Sequence, residues 1–336
     1  MKLKPLKALL AVCIIFAGIL IVDPLLNSGS ARGFGLIHLA YAETSGNSTG
    51  TATVGNAAPT ITDPMLLTIA DADANNTDLD VFTEYWSNCS VNDNNTLMNL
   101  HNVTWYIYED NAADWDTADA NETHYTFKYD NATDAFAEVG PDAAGGHLVA
   151  ANCTKPNRAL TTDDVKLAFK LEKTANHTGS KSWRVNITVW DAAASAYNQS
   201  LVFGVNYYFE LTVDDNTHGW GALTAGDINV TIDSPVDGDI DLTCTSNAIF
   251  KLQAKSWNAT LNATGIGDID IGNVTIHESL VDSSVSLTVA YADIGGLDNE
   301  AAAYAVAKAF VLWISVPVGT AAGAYTYVLA VQGIEA

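Results

Sequence analysis

Period-two alternation of apolar side chains along β-branched and aromatic segments constrains this chain more than any other feature, because half-buried β-strands produce it. In Asn102-Val-Thr-Trp-Tyr-Ile-Tyr108, residues Val103, Trp105 and Ile107 share one face. Trp183, Val185, Ile187 and Val189 do the same in the next such stretch, and Val205–Val213 reads as one continuous strand. Further strands are expected at Ile228–Ile232, Asp239–Cys244, Ile249–Ala254, Asn273–His277, Val285–Ala290, Phe310–Val316 and Tyr325–Val331. Asn, Asp and Gly turns separate them, as in antiparallel sheets with one wet face. Helical periodicity is scarce, and two short helices are expected, near Ala112–Ala118 and Glu300–Ala309. The predicted fold class is all-β, with two consecutive antiparallel β-sandwich domains.

The N-terminus carries an address. Lys2, Lys4 and Lys7 precede an apolar run from Ala8 to Val22, and Ala40-Tyr41-Ala42 precedes Glu43. A basic start, a short apolar middle and a small-x-small end predict a signal peptide over 1–42 and an extracellular, cell-surface location. The stretch after Asp23 is long for a cleavage region, so an uncleaved N-terminal anchor is the alternative. No membrane span is expected in the mature chain. Residues 43–54, rich in Thr, Ser, Gly and Asn, read as a flexible or extended leader. A larger sandwich is expected over 55–214 and a smaller one over 222–336, divided at Asp214-Asp-Asn-Thr-His-Gly-Trp-Gly221.

Charge narrows the partners. Removing 1–42 takes four of the 15 basic and one of the 39 acidic residues, leaving 11 and 38 and a formal charge of −27. Nucleic acid and anionic lipid are repelled by such a surface, and no Lys/Arg cluster offsets it. Export permits a disulfide, and Cys89–Cys153 is the expected pair because both fall in the larger domain; Cys244 is expected as a buried free thiol.

Asn-x-Ser/Thr triplets begin at Asn47, Asn75, Asn88, Asn94, Asn102, Asn121, Asn131, Asn152, Asn176, Asn186, Asn198, Asn229, Asn258, Asn262 and Asn273. Composition alone would give about four. In the strand-borne triplets at Asn102, Asn186, Asn229 and Asn273, period two puts Asn and Thr together on the wet face, where a glycan would project into solvent. Abundant Asn and Thr on outward strand faces would explain those four without glycosylation, but leaves the excess in turns. Glycosylation at these positions is therefore expected.

Chemistry is otherwise sparse. There is no H-E-x-x-H, no G-x-S-x-G and no phosphate-cradling glycine loop, and the histidines lack metal-pair spacing. The metal candidate is Asp71, Asp73 and Asn75, whose alternating oxygens match the start of a calcium loop. The match fails at Asn76, where a turn glycine belongs, and at Phe82, where a bidentate acid belongs. Calcium is thus the one cofactor considered, against a plain solvated loop. Trp86, Trp115, Trp220 and Trp257 could form a sugar platform where exposed, although tryptophans in sandwiches more often belong to cores. A non-enzyme is expected.

Several phrases resemble archaeal secreted cell-surface proteins built from immunoglobulin-like modules. They are Val54-Gly-Asn-Ala-Ala-Pro59, Val91-Asn-Asp-Asn-Asn-Thr-Leu97, Trp183-Arg-Val-Asn-Ile-Thr-Val-Trp-Asp191, and Trp313-Ile-Ser-Val-Pro-Val-Gly-Thr320 with Ala322-Gly-Ala-Tyr325. The resemblance implies fold and location without implying an activity. Three functions follow in order. The first is a structural subunit of a filament or surface layer that self-associates, or binds other surface proteins, through strand edges, with Thr51–Val54 and Ile61–Thr68 as donor segments. The second is an adhesin or carbohydrate-binding protein that recognises glycans. The third is a secreted hydrolase with an unfamiliar carboxylate pair.

Overall fold

Strands of the predicted periodicity dominate the computed structural model, which describes residues 56–110, 124–140, 146–192, 194–235, 237–264, 267–278 and 284–336. The signal, the leader, Trp115, Asn47, Asn121 and the helix expected at Ala112–Ala118 lie outside the described residues. Helical structure among the described residues is confined to single 3-10 turns at Leu97–Asn99, Ala150–Asn152 and Ile271–Asn273. No helix there is long and apolar enough to cross a membrane.

The first half contains β1 (Thr60–Thr68), β2 (Asp78–Leu79), β3 (Glu84–Asn92), β4 (Leu100–Glu109), β5 (His124–Asp130), β6 (Ala135–Glu138), β7 (Thr162–Lys170), β8 (Thr178–Asp191) and β9 (Ser195–Val205). A three-stranded sheet, β1-β3-β7, faces a six-stranded one, β2-β9-β8-β4-β5-β6. Between them lies an apolar core to which both contribute: Tyr85, Val91 and Phe169 from one, Trp105, Phe127, Trp183 and Phe203 from the other. Strict alternation in β3 and β5 explains the arrangement, since every second side chain faces this core. Each large side chain so buried is worth about 1.5–3 kcal/mol.

The second half contains β10 (Phe209–Val213), β11 (Val230–Thr231), β12 (Ile240–Ser246), β13 (Phe250–Ser256), β14 (Thr260–Ala263), β15 (Gly267–Asp270), β16 (Val274–His277), β17 (Val285–Ser286), β18 (Ala292–Asp293), β19 (Ala303–Ile314) and β20 (Leu329–Glu335). A sheet ordered β10-β12-β19-β16-β17, with β11 also on β19, faces β18-β13-β20. A second core lies between them, built from Leu242, Leu312, Ile314 and Phe310 against Phe250, Leu252 and Ala254.

Three expectations are corrected here. Glu300–Ala309 is not a helix, because Ala303–Ile314 forms β19, paired with β12 along one part and β16 along another. Its alanines favour helix locally, but two ladders of interstrand bonds override that propensity. Val205–Val213 is not one strand. The chain breaks at Asn206–Tyr208, and β10 crosses to pair with β12, so the change of core falls before Phe209 rather than at Asp214. Finally, Tyr325–Val331 yields only a bridge at Thr326 to Asn262 before β20 begins.

Asn56–Ala336 forms one compact unit, and buried Asn247 is one of the ties between its two cores. Asn247 has no exposed surface. Its Nδ2 donates to the Ala175 carbonyl (3.0 Å) and the Asn206 carbonyl (2.9 Å), and its Oδ1 accepts from Tyr208 N–H (2.8 Å). Its backbone carbonyl accepts from His177 N–H (3.0 Å). Lys173 pairs with Glu210 across the same junction at 2.6 Å. Nearby, an added Cβ on Gly333 would overlap the Phe209 ring, so β20 requires glycine there.

Candidate functional site

Register places a row of polar and aromatic side chains on the outer face of the six-stranded sheet. Asn102 on β4 stands opposite Asp130 on β5 and Trp190 on β8. One step along, Thr104 stands between Lys128 and Thr188, and Thr188 is opposite Tyr197 on β9. Trp190 is 43% exposed and Tyr197 71% exposed, one diagonal apart. Neither was among the tryptophans singled out from sequence. Trp190 terminates an alternating strand on its outward phase, and that phase was the available signal.

Beside Asn102 the sheet opens into a cleft of about 400 Å³ lined by Met98, His101, Asn102, Lys128, Asp130 and Arg158, among others. Lys128 and Asp130 form an ion pair at 2.8 Å, and the Lys128 hydrogen bond holds the Asp130 carboxyl below its ordinary value. Arg158 Nε is buried and has no hydrogen-bond acceptor among the described residues. The nearby Asp134 instead accepts from Tyr129 Oη (2.8 Å) and pairs with Lys155 (3.3 Å).

Asn131 forms the cleft floor and is 3% exposed. Its Nδ2, the atom that would carry a glycan, donates to the carbonyls of Leu97 (3.3 Å), Met98 (3.0 Å) and Leu100 (2.7 Å). This triplet therefore anchors the 97–99 turn in the folded protein. Asn186 is likewise corrected. It is 2% exposed although it lies on the outer face, because β8 is an interior strand and Tyr106 stands opposite it. Thr104 and Thr188 are buried for the same reason. Asn152, Asn176 and Asn273 spend Nδ2 on Glu84, Glu109 and the Asp270 carbonyl. Asn94, Asn229 and Asn262 are exposed, while Asn75, Asn88, Asn102, Asn198 and Asn258 are half-buried.

The calcium candidate is not assembled. Asn75 Oδ1 accepts from Val202 N–H (3.0 Å) and ties the loop to β9, while Asp73 Oδ1 accepts from Asn75 N–H (2.9 Å) and closes a turn. Asn76 takes φ 63°, the left-handed conformation that glycine would supply in such a loop. Among the described residues no group of three or more acidic, His or Cys side chains could hold a metal.

The Cys89–Cys153 pair is also corrected, since both thiols are free, as is buried Cys244. Cys89 pairs in register with Val165 on β7, while Thr154 bridges Lys166 on the other edge of that strand. With β7 between them, the cysteines are separated by two strand spacings, about 9.5 Å. A disulfide spans at most about 7 Å between Cα atoms. Burial pushes the Cys89 thiol up to about 12.

Of the other tryptophans, Trp220 stacks on Tyr327 against the second core, and Trp86 lies under Lys166. Trp257 is exposed and carries Lys255 over its ring. Carboxylates converge inside the first half, at His147, which is buried. Its Nδ1 meets Glu138 at 2.6 Å and its Nε2 meets Glu172 at 3.0 Å. Burial alone would lower its pKa, but the two carboxylates outweigh that and raise it above the ordinary value. The arrangement is an internal ionic tie between three separate stretches of the chain.

No known family's sequence profile matches the chain, and no curated protein matches it. Among solved structures it is similar to the chaperone–tip adhesion subunit pre-assembly complex of archaic chaperone-usher Csu pili from Acinetobacter baumannii, with 11% identity, 72% of this chain and 88% of that one covered, and a TM-score of 0.30. The C-terminal domain of the Streptococcus pyogenes antigen I/II-family protein AspA gives 10% identity, coverage of 78% and 92%, and 0.26. The corresponding Streptococcus agalactiae BspA domain gives 9%, coverage of 77% and 91%, and 0.23. Superposition this loose identifies neither a shared fold family nor a shared activity.

Proposed function

We propose that this chain is a non-catalytic, exported cell-surface glycoprotein that binds glycans as an adhesin-type module. The observation that carries the reading is the outer sheet face, where exposed Trp190 and Tyr197 adjoin a charged cleft on a rigid six-stranded platform. Flat aromatic faces meet the apolar faces of sugar rings, while amide and charged groups at the cleft meet their polar edges. The exposed acceptor asparagines Asn94, Asn229 and Asn262 are the triplets best placed to carry sugars of its own. The test is a glycan array probed with the full chain and with a Trp190→Ala/Tyr197→Ala variant of unchanged melting temperature. Binding lost in the variant supports the reading, and a blank array for the parent protein sinks it.

A second reading, a structural subunit joined through strand edges, is favoured by β20, which has a strand partner on one side only. The donor segment Ile61–Thr68 is already used within the chain as β1, paired to β3, and its later half is also bonded to residues 72–74. Assembly would therefore rely on the leader meeting an edge such as β20. Negative-stain electron microscopy of the protein from its native surface tests this, since filaments lost on deleting 43–54 would establish it.

A further inference from the structure

We infer that the cleft beside Trp190 takes the carboxylate of a sugar acid within an otherwise neutral saccharide, an assignment that rests on the glycan-binding reading above. The cleft brings together Lys128 and Arg158 against the single carboxylate of Asp130, on a chain whose formal charge is −24. Asp130 is already matched by Lys128 at 2.8 Å, and Arg158, which the Asp134 carboxylate reaches only through space, forms no ion pair of its own among the described residues. Its buried Nε has no acceptor among the described residues, and Asp134 hydrogen-bonds Tyr129 and Lys155 instead. A charged donor withheld from water without an acceptor is costly, so the site gains most from a ligand that supplies one. A guanidinium edge presents paired, coplanar donors, and a carboxylate is the group that matches them.

The rest of the ligand follows from what adjoins the cleft. Asn102 lines it and stands directly opposite Trp190 in the β4–β8 ladder, so a chain anchored at Arg158 runs onto Trp190 and Tyr197. A saccharide fits that sequence of charged pocket and flat apolar platform. A polyanion does not, because its further charges would lie over a strongly acidic surface that is screened only beyond about 8 Å at physiological salt. One carboxylate among neutral rings meets the local cations and avoids the distant acids.

The test uses the full chain produced in a host without N-glycosylation, so that no sugar on Asn102 fills the cleft. Calorimetry compares cellobiouronic acid with cellobiose, which differ by a carboxylate in place of a hydroxymethyl group. The acid is expected to bind about tenfold more tightly, the equivalent of one charge-assisted hydrogen bond. Arg158→Gln should reduce the acid to the level of cellobiose, and Trp190→Ala should weaken both sugars alike. Equal binding of the two sugars by the parent protein, or a preference that survives Arg158→Gln, overturns the assignment. If those sugars still depend on Trp190, the glycan-binding reading stands without it. Failure of both disaccharides together with a blank glycan array overturns both.

Discussion

The two cores solve the same packing problem with different residues. The first is aromatic, with Trp105, Trp183, Phe127, Tyr129, Phe169 and Phe203 all buried between mostly long strands. The second is mainly aliphatic, with Leu242, Leu252, Ile276, Leu312 and Ile314 around Phe250 and Phe310, and several of its strands have only two to four residues. Each half sets a six-stranded sheet against a three-stranded one, so the difference lies in side chains and strand length rather than in sheet width. The outer face bearing Trp190 and Tyr197 belongs to the first half, on its long strands β8 and β9. The two cores meet at Asn247 and at the crossing of β10.

Breaking the ionic tie under the first core should have the largest effect. His147→Ala leaves Glu138 and Glu172 buried without their cation, at a cost of about 3–5 kcal/mol by chemical denaturation. The contribution of His147 also has a sign in pH. Its folded pKa is raised above the ordinary 6.5, so the stabilisation is fully present below that value and is lost as pH rises through the folded value. The gap in stability between the parent protein and His147→Gln should therefore narrow from mildly acidic to alkaline pH.

Truncating an aromatic of the first core compares the two cores directly. Trp105→Ala should cost about 3–5 kcal/mol, and Leu312→Ala in the second core about 2–5 kcal/mol, with the spread set by how far each site collapses. If Trp105→Ala lowers one calorimetric transition and spares a second, the cores unfold independently. A single shifted transition shows that the junction couples them.

Asn247→Ala addresses that junction. It removes an amide that ties Ala175, Asn206 and Tyr208 together and leaves their groups buried, costing about 1–3 kcal/mol. Separation of one unfolding transition into two is the expected outcome, and unchanged cooperativity would show that β10 and Lys173–Glu210 suffice.

Two smaller effects sharpen the contrast between structural and modifiable asparagines. Asn131→Gln should cost about 1–3 kcal/mol and shift the intact mass only by the added methylene, whereas Asn94→Gln is expected to remove the mass of a glycan and leave stability within about 0.5 kcal/mol. Intact mass spectrometry and thermal melts separate the two. The smallest effect concerns the thiols. Reducing agent should leave the melting temperature unchanged, because Cys89 and Cys153 are not joined.

Strands were readable wherever one face meets a core and the other meets solvent. Val103, Trp105 and Ile107, or Trp183 through Val189, announce their burial by parity because a β-strand turns every second side chain the same way. The signal-like N-terminus, the acidity and the excess of Asn-x-Ser/Thr triplets are likewise local residue patterns. What the one-dimensional pattern could not carry is which segments become neighbours. Asn131 and Asn94 belong to identical triplet types, yet one lies under a turn and the other in solvent. Glu138, His147 and Glu172 come from three separate stretches, and β7 alone keeps Cys89 from Cys153. Glu300–Ala309 has a helix former's composition and becomes strand because β12 and β16 offer it partners. Parity follows from the geometry of a single strand, whereas pairing, burial of polar groups and the cleft at Arg158 depend on contacts between residues distant in the chain.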